Sequence, residues 1–144
     1  MKPPTTFLID TGPLVAYLDR ADSHHAEVRH VWDQLSGVFL TTAAVITETL
    51  HFLRDVPQAP QLIAEGLQAG YLTIEETFHP ADIAQAALLM QKYHDTPMDF
   101  ADATLVVLAS RLNVGHILTL DQRGFRTYRY ARAKAFRLVI QDSE

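Results

Sequence analysis

Residues 6–13 read Thr-Phe-Leu-Ile-Asp-Thr-Gly-Pro, an apolar run that stops at an acid and a turn. The run over residues 6–9 predicts a short buried strand, because β-branched and aromatic side chains favour extended backbone. Gly12 permits a sharp turn, and Pro13 suits the first turn of a helix. The stretch therefore predicts a strand, a turn and a helix, with Asp10 at the carboxyl end of the strand.

The rest of the chain repeats this alternation of short apolar runs and longer helical patterns. That order is typical of βαβ units and predicts an α/β fold, a small, mostly parallel sheet with helices on both faces. Ser23 is the expected N-cap of the second helix. Strands are predicted at residues 6–9, 38–41, 71–75, 116–120 and 137–140, the third at an edge, and helices at 13–18, 23–34, 43–53, 60–69, 80–94 and 99–112.

The bulk composition limits the class of protein. At 144 residues the chain fits one domain, spanning residues 1–144, and 48% apolar with 20% charged residues is ordinary globular composition. No apolar stretch approaches the roughly 20 residues that span a bilayer, and the first residues lack a secretory signal, so we expect a cytoplasmic protein with no membrane partner. The absence of cysteine excludes disulfides, thiolate zinc sites and cysteine nucleophiles.

Charge is unevenly distributed along the chain. The net charge of -5 argues against nucleic-acid binding over the whole surface, but residues 122–141 contain no acid and half of the basic residues. This basic stretch could be a solvated face with core aromatics, or an edge that follows phosphates and stacks bases. Its basic residues are Arg123, Arg126, Arg129, Arg132, Lys134 and Arg137, and its aromatic residues are Phe125, Tyr128, Tyr130 and Phe136.

Two acids follow predicted strands. Asp10 comes after the first strand, and Asp121 comes after the apolar run of residues 116–120. Ligand sites of open parallel sheets lie beyond the carboxyl ends of the strands, where these two acids are expected. Each could instead be a turn-forming or helix-capping aspartate.

Three further acids lie on predicted helices. Glu48 is flanked one turn away by mostly apolar residues, and Asp102 is flanked by Asp99 and apolar residues. An unpaired carboxylate facing a core costs several kcal/mol, so such residues usually pair with a cation or bind a metal. Asp99 could project beside Asp102 from the start of one helix, or be only its N-cap.

A cluster of these acids predicts a hard divalent cation. Clustered carboxylates repel one another and their pKa values rise, unless a cation compensates. An oxygen-only pocket favours Mg²⁺ or Mn²⁺ over zinc. Such ions activate water and stabilise a leaving oxygen, so phosphodiester hydrolysis follows without a histidine or cysteine nucleophile. The seven histidines form no His-Glu-x-x-His pattern that would offer a rival site.

These residues together resemble the PIN-domain family, in particular VapC-type toxins of toxin–antitoxin pairs, over essentially the whole chain. The matching segments are Phe-Leu-Ile-Asp-Thr-Gly around Asp10, Val-Ile-Thr-Glu ending at Glu48, Asp-Phe-Ala-Asp-Ala around Asp102, and Leu-Thr-Leu-Asp ending at Asp121. One departure is Phe125, which lies four residues after Asp121, whereas many relatives place the aromatic three residues after that acid.

The resemblance implies a set of roles. Asp10, Glu48, Asp102 and Asp121 would form an acidic quartet that binds metal and cleaves RNA, with Thr11 and Thr119 in support. Asp99, which many relatives lack, would be a further metal ligand, a supporting group or the cap. The family also implies a three-layer fold, homodimers, and inhibition by a cognate antitoxin that reaches the site with a basic side chain. Arg123, Arg126 and Arg129 would hold the RNA backbone.

Two other functions compete with this one. The first is an RNA- or partner-binding PIN module with weak or no catalysis, against which the complete quartet argues. The second is a phosphotransfer protein with an aspartate after strand one. Dehalogenase-like enzymes require another aspartate two residues later, where this chain has Gly12, and no well-placed lysine follows the last strand.

Overall fold

The computed structural model describes residues 3–141. Within them, short strands alternate with helices, as the sequence predicts. The strands are β1 (Thr6–Ile9), β2 (Val38–Thr42), β3 (Thr73–Glu75), β4 (His116–Leu118), β5 (Arg129–Tyr130), β6 (Lys134–Ala135) and β7 (Arg137–Leu138). The helices are α1 (Thr11–Leu18), α2 (His25–Asp33), α3 (Ala43–Phe52), α4 (Ala59–Gln68), α5 (Pro80–Lys92), α6 (Phe100–Leu112) and α7 (Gln122–Thr127).

The main sheet has five strands in the order β3-β2-β1-β4-β7, and each neighbouring pair is parallel. β1 is central, with Leu8 opposite Leu40 on one side and Ile117 on the other. β5 and β6 form a separate antiparallel pair. The predicted α/β fold is confirmed, and β3 lies at an edge as expected.

The core lies on both sides of the central strands. Leu8, Ile9, Ile117 and Leu118 are fully buried in β1 and β4. Nine successive residues of α6, from Ala101 to Ala109, are buried as well. Burial of a large aliphatic side chain contributes about 1.5–3 kcal/mol, so this packing fixes α6 firmly against the rest of the molecule.

Some local predictions are wrong. The N-cap of α2 is His24 rather than Ser23, because the Asp22 carboxylate accepts a hydrogen bond from the His24 amide (2.8 Å) and sets the turn one residue later. β4 ends at Leu118, since the Thr119 hydroxyl accepts the Asp121 amide and turns the chain out of the sheet. α7 and the β5–β6 hairpin were not predicted at all.

Among residues 3–141, no helix is long and apolar enough to cross a membrane.

Candidate active site

A single hydroxyl joins the two acids that follow strands. Asp10 directly follows β1, and its amide donates a hydrogen bond to the Leu118 carbonyl of the neighbouring β4 (3.0 Å). The Thr119 hydroxyl donates to Asp10 Oδ2 (2.8 Å) and accepts the Asp121 amide (2.9 Å). Asp10 and Asp121 are thereby held at the carboxyl ends of adjacent parallel strands.

Asp99 and Asp102 form a reciprocal capping box at the start of α6. Asp99 Oδ1 accepts the Asp102 amide (2.8 Å), and Asp102 Oδ2 accepts the Asp99 amide (3.2 Å). Each carboxylate thus uses one oxygen on backbone at a helix N-terminus, where the helix dipole favours negative charge. Asp99 is therefore the N-cap that the sequence offered as one alternative, and its charge still reaches Asp10, Glu48 and Asp102.

Glu48 reaches the same place from α3, which packs against both α1 and α6. Its half-buried carboxyl shares a hydrogen bond with the Asp99 carboxyl, and the charge of Asp10 raises its pKa. The apolar face expected around Glu48 is only partly buried, because Phe52 is 58% exposed while Val45 is fully buried. Glu48 therefore lies beside these acids at the edge of the site rather than in the core.

The electrostatics follow from burial first and from repulsion second. Burial raises the pKa of Asp10 to about 6, against the lowering effect of the Thr11 amide and the Thr119 hydroxyl. Burial, then the charges of Asp10 and Asp99, raise the pKa of Asp102 to about 9. The pKa of Glu48 rises to about 7 through burial and then through its hydrogen bond with Asp99. The sequence predicted such rises from burial and from repulsion, and desolvation is the larger cause.

Asp121 differs from the other acids because its side chain is exposed. It is the N-cap of α7, and its Oδ1 accepts the Gly124 amide (3.0 Å). Its charge nevertheless raises the pKa of the buried Asp10, so Asp121 closes the cluster on the solvent side. We name Asp10, Glu48, Asp99, Asp102 and Asp121 the acidic cluster.

The residues present fit a hard divalent cation, although they do not form a finished cage. In residues 3–141, no three carboxylate or imidazole groups converge closely enough to hold an ion as they stand. The Thr11 hydroxyl is buried and has no hydrogen-bond partner among these residues, although it lies near enough to Glu48 to lower the pKa of that carboxyl. An oxygen-only donor set with an unpartnered hydroxyl suits Mg²⁺ or Mn²⁺.

The three arginines predicted to bind RNA lie on or beside α7. Arg123 and Arg126 are exposed, one turn apart on the helix that Asp121 caps. Arg129 is half-buried, and its Nη1 donates to the carbonyls of Arg126, Thr127 and Tyr128 (2.7, 3.1 and 2.9 Å). Arg129 therefore contributes to the C-terminal end of α7, and Arg123 is the better placed to meet a ligand.

Gly124 and Tyr128 lie beside the site, where the sequence did not place them, since Tyr128 was expected only as an aromatic of the basic stretch. A side chain at Gly124 would collide with the Asp121 carboxylate, and the Tyr128 hydroxyl lies next to the same point. The sequence signal for Gly124 was a glycine three residues after an acid, at the third position of a helix that the acid caps.

An apolar cavity of about 750 Å³ lies away from these acids, lined by Gly37 and Leu72 at the amino ends of β2 and β3.

Comparisons with known proteins agree with this architecture. The family model of the PIN domain matches residues 7–130. The chain is 34% identical over 124 residues to Ribonuclease VapC26 of Mycobacterium tuberculosis, covering 85% of this chain and 91% of the relative.

Two solved structures share the fold. VapC20 of Mycobacterium tuberculosis, a Sarcin-Ricin loop cleaving toxin, superposes with a TM-score of 0.72 at 19% identity, covering 80% of this chain and 89% of that one. VapBC2 of Rickettsia felis, bound to a DNA fragment from its promoter, superposes with a TM-score of 0.61 at 11% identity, covering 93% and 98%. With a family match over most of its length and a close relative among the VapC ribonucleases, this chain belongs to the PIN-domain family.

Proposed function

We propose that the chain is a divalent-metal-dependent endoribonuclease that hydrolyses RNA phosphodiester bonds at the acidic cluster, and that it is the toxin of a toxin–antitoxin pair. The observation that carries the proposal is the grouping of Asp10, Glu48 and Asp102, from three distant segments, around one partly buried site where burial and neighbouring acids raise all three pKa values. The 34% identity to Ribonuclease VapC26 supports the choice of RNA as substrate.

In this proposal Asp10, Glu48, Asp102 and Asp121 are the residues that hold Mg²⁺ or Mn²⁺, with Asp99 as a further ligand. Such an ion, when bound, supplies activated water and stabilises negative charge on the phosphate. The Thr119 hydroxyl orients Asp10 by donating to Oδ2, and the Thr11 amide also hydrogen-bonds to this carboxyl. The unpartnered Thr11 hydroxyl lies where it can hydrogen-bond to Glu48 or to a ligand in the site.

The basic residues of α7 are proposed to position the RNA. Arg123 and Arg126 follow Asp121 on the exposed face of α7, so a backbone that reaches the acids passes close to their guanidinium groups. Arginine pairs well with phosphate oxygens through its planar fork of donors. Arg129 is proposed to act with them from the end of α7. Its Nη1 group bonds to backbone carbonyls, and its other guanidinium N–H groups would contact the RNA.

The proposal includes two protein partners. One is a second copy of the chain, and the other is a cognate antitoxin that inhibits by placing a basic side chain among the acids. The excess of carboxylates in the cluster supports such an inhibitor, because a buried cation would offset their repulsion as a metal does. Light scattering of the purified chain tests the dimer. Loss of RNA cleavage on adding the product of the neighbouring reading frame tests the antitoxin.

Cleavage of labelled stem-loop RNA oligonucleotides in Mg²⁺ is the experiment that tests the activity. Wild type is expected to cleave, and EDTA, Asp10→Asn and Asp121→Asn are each expected to abolish cleavage without unfolding the chain. Glu65→Gln is the matched control, because it removes an acid that lines the apolar cavity instead of the acidic cluster. Full cleavage by both aspartate variants would remove the cluster from the mechanism.

A filter-binding assay beside the cleavage assay distinguishes the nuclease from the alternative, an RNA-binding module. That protein would retain RNA in a filter-binding assay and show no metal-dependent turnover. The partly buried, oxygen-rich cluster favours the nuclease, because a binding surface gains nothing from desolvated carboxylates that repel phosphate.

A further inference from the structure

Tyr128 is the largest fully buried side chain of the described residues, and it lies directly after α7. Its ring packs edge-on against Tyr93 and Phe125, each with a centroid separation of 5.1 Å. Aromatic pairs in this geometry contribute about 0.5–1.5 kcal/mol beyond burial. The ring would therefore be well held by packing alone, which leaves the role of its hydroxyl to be explained.

The Tyr128 hydroxyl donates a hydrogen bond to the Pro97 carbonyl (2.9 Å). Pro97 lies two residues before Asp99, in the segment that leads into α6. This contact links the end of α7 to the backbone that presents Asp99 and Asp102. A neutral hydrogen bond contributes about 0.5–1.5 kcal/mol, enough to restrain a short loop.

The same hydroxyl lies beside the turn that carries Asp121. A Cβ added to Gly124 would lie 3.0 Å from the Tyr128 hydroxyl and would collide with the Asp121 carboxylate. The phenol hydroxyl and the carboxylate therefore both lie next to Gly124. Burial, then the charges of Asp102, Asp121, Asp99 and Asp10, hold the pKa of Tyr128 above its usual value, so its hydroxyl stays protonated and remains a donor.

We propose that Tyr128 is a positioning residue of the acidic site, whose hydroxyl fixes the separation between the acids of α6 and Asp121. It touches backbone rather than substrate, and it acts by holding two segments at a set distance. An ion shared by acids from both segments needs that distance, because Mg²⁺ requires near-ideal octahedral geometry. This inference rests on the proposed function, since it concerns how the same site binds its metal.

Tyr128→Phe tests the proposal, because it keeps the ring and its packing and removes only the hydroxyl. Calorimetric titration with Mn²⁺ is expected to give roughly tenfold weaker binding, in line with the loss of a group that orients metal ligands. The Mg²⁺ concentration for half-maximal RNA cleavage is expected to rise by a similar factor, while the rate at saturating Mg²⁺ recovers toward the wild-type value.

Tyr130→Phe is the matched control. It removes a second buried phenol hydroxyl of the same aromatic cluster, one that lies beside Gly115 at the amino end of β4. Metal affinity is expected to stay at the wild-type value in this variant, and thermal unfolding monitors any general loss of stability in both.

Unchanged Mn²⁺ affinity and unchanged Mg²⁺ dependence in folded Tyr128→Phe would overturn the positioning role while leaving the nuclease intact. A wild-type chain that neither binds Mn²⁺ nor cleaves RNA would instead overturn the proposed function, and the inference with it. Equal weakening in Tyr128→Phe and Tyr130→Phe would assign the effect to packing and would also reject the proposal.

Discussion

Among single residues, Thr119 connects two acids of the acidic cluster through one side-chain hydroxyl. Its one hydroxyl donates to Asp10 Oδ2 and accepts the Asp121 amide, and Thr119 itself is fully buried. A hydrogen bond to a charged group contributes more than a neutral one, about 1.5–3 kcal/mol. The hydroxyl therefore stabilises the ionised form of Asp10 and sets the path of the chain toward Asp121.

Thr119→Val is expected to lower RNA cleavage about 10- to 100-fold, because valine keeps the shape and removes both hydrogen bonds of a group that orients a proposed metal ligand. Thr119→Ser is the matched variant, since it retains the hydroxyl and should recover most of the activity. Initial cleavage rates at fixed Mg²⁺ provide the measurement. Equal activity of the valine and serine variants would contradict the role given to the hydroxyl.

Gly124→Ala is expected to abolish cleavage while leaving the chain folded. The added Cβ would collide with the Asp121 carboxylate, which is exposed and can move away from the site at the loss of its cap on α7, about 1 kcal/mol. Gly66→Ala is the control, because nothing lies near its added Cβ within α4, and it should stabilise the chain by up to about 1 kcal/mol. Cleavage assays and thermal unfolding distinguish the two. An active Gly124→Ala protein would show that Asp121 need not stay where it is.

At the scale of elements, α6 combines two functions that a sequence pattern reveals separately. Residues 101–109 of α6 are all buried, and the start of the helix carries the capping box of Asp99 and Asp102. The buried middle fixes the helix, and the capping box fixes the acids at its start. Thr42 and Thr104, whose hydroxyls lie 2.8 Å apart in the core, join α6 to the start of α3, the helix that carries Glu48.

Asp99→Asn and Asp99→Ala are expected to weaken Mg²⁺ binding alike, because both remove a negative charge from the cluster. The asparagine variant should be the more stable of the two by about 1 kcal/mol, since its side-chain oxygen can still cap the helix. Denaturant unfolding and calorimetry measure the two quantities separately. Wild-type metal affinity in Asp99→Asn would reduce Asp99 to a cap alone.

The sequence was sufficient for elements with strong local signals and failed where tertiary contacts decide. The apolar runs of β1, β2 and β4 and the pattern of α6 predicted those elements to within two residues. α7 is only six residues long, and its start depends on the Asp121 side chain, for which a turn or capping role was only the alternative to a role in the site. The turn of the β5–β6 hairpin contains Ala131 and Ala133, both with positive φ. Turns with positive φ usually contain glycine, asparagine or aspartate, so the sequence carries no signal for this one.

The acids of the candidate site could be predicted from the sequence, but their arrangement in space could not. Acids that interrupt apolar elements indicated Asp10 and Asp102, because desolvated carboxylates need a reason to be there. Strand order, by contrast, depends on the whole sheet, and only β1 lying beside β4 brings Asp10 next to Asp121. Tyr128 could not be assigned from sequence, since its contact with Pro97 joins residues 31 apart.

At the scale of the whole molecule, the acidic cluster makes stability depend on pH and metal. The folded chain holds the pKa values of Asp10, Glu48 and Asp102 at about 6, 7 and 9, above their ordinary values near 4. The folded chain therefore keeps protons that the unfolded chain releases. By linkage, stability from these groups is fully present below about pH 4 and is lost progressively up to about pH 9.

The metal-free chain is accordingly expected to unfold at a lower temperature at pH 8 than at pH 5, by several degrees. Added Mg²⁺ should raise the unfolding temperature much more at pH 8 than at pH 5, because its ligands must lose their protons to bind it. Thermal unfolding in EDTA and in Mg²⁺ across this range measures both effects. A chain that is most stable at pH 8 without metal would contradict the electrostatics described for the cluster.

The most direct test of the central claim, that acids from distant segments form one divalent-cation site, is Mn²⁺ binding by folded wild type and by Asp102→Asn at pH 7.5. Asparagine resembles the protonated aspartic acid, so the variant is expected to match or exceed the stability of the metal-free wild type and to lose Mn²⁺ affinity at least tenfold. Undiminished Mn²⁺ binding by the folded variant would show that Asp102 is not part of a shared cation site.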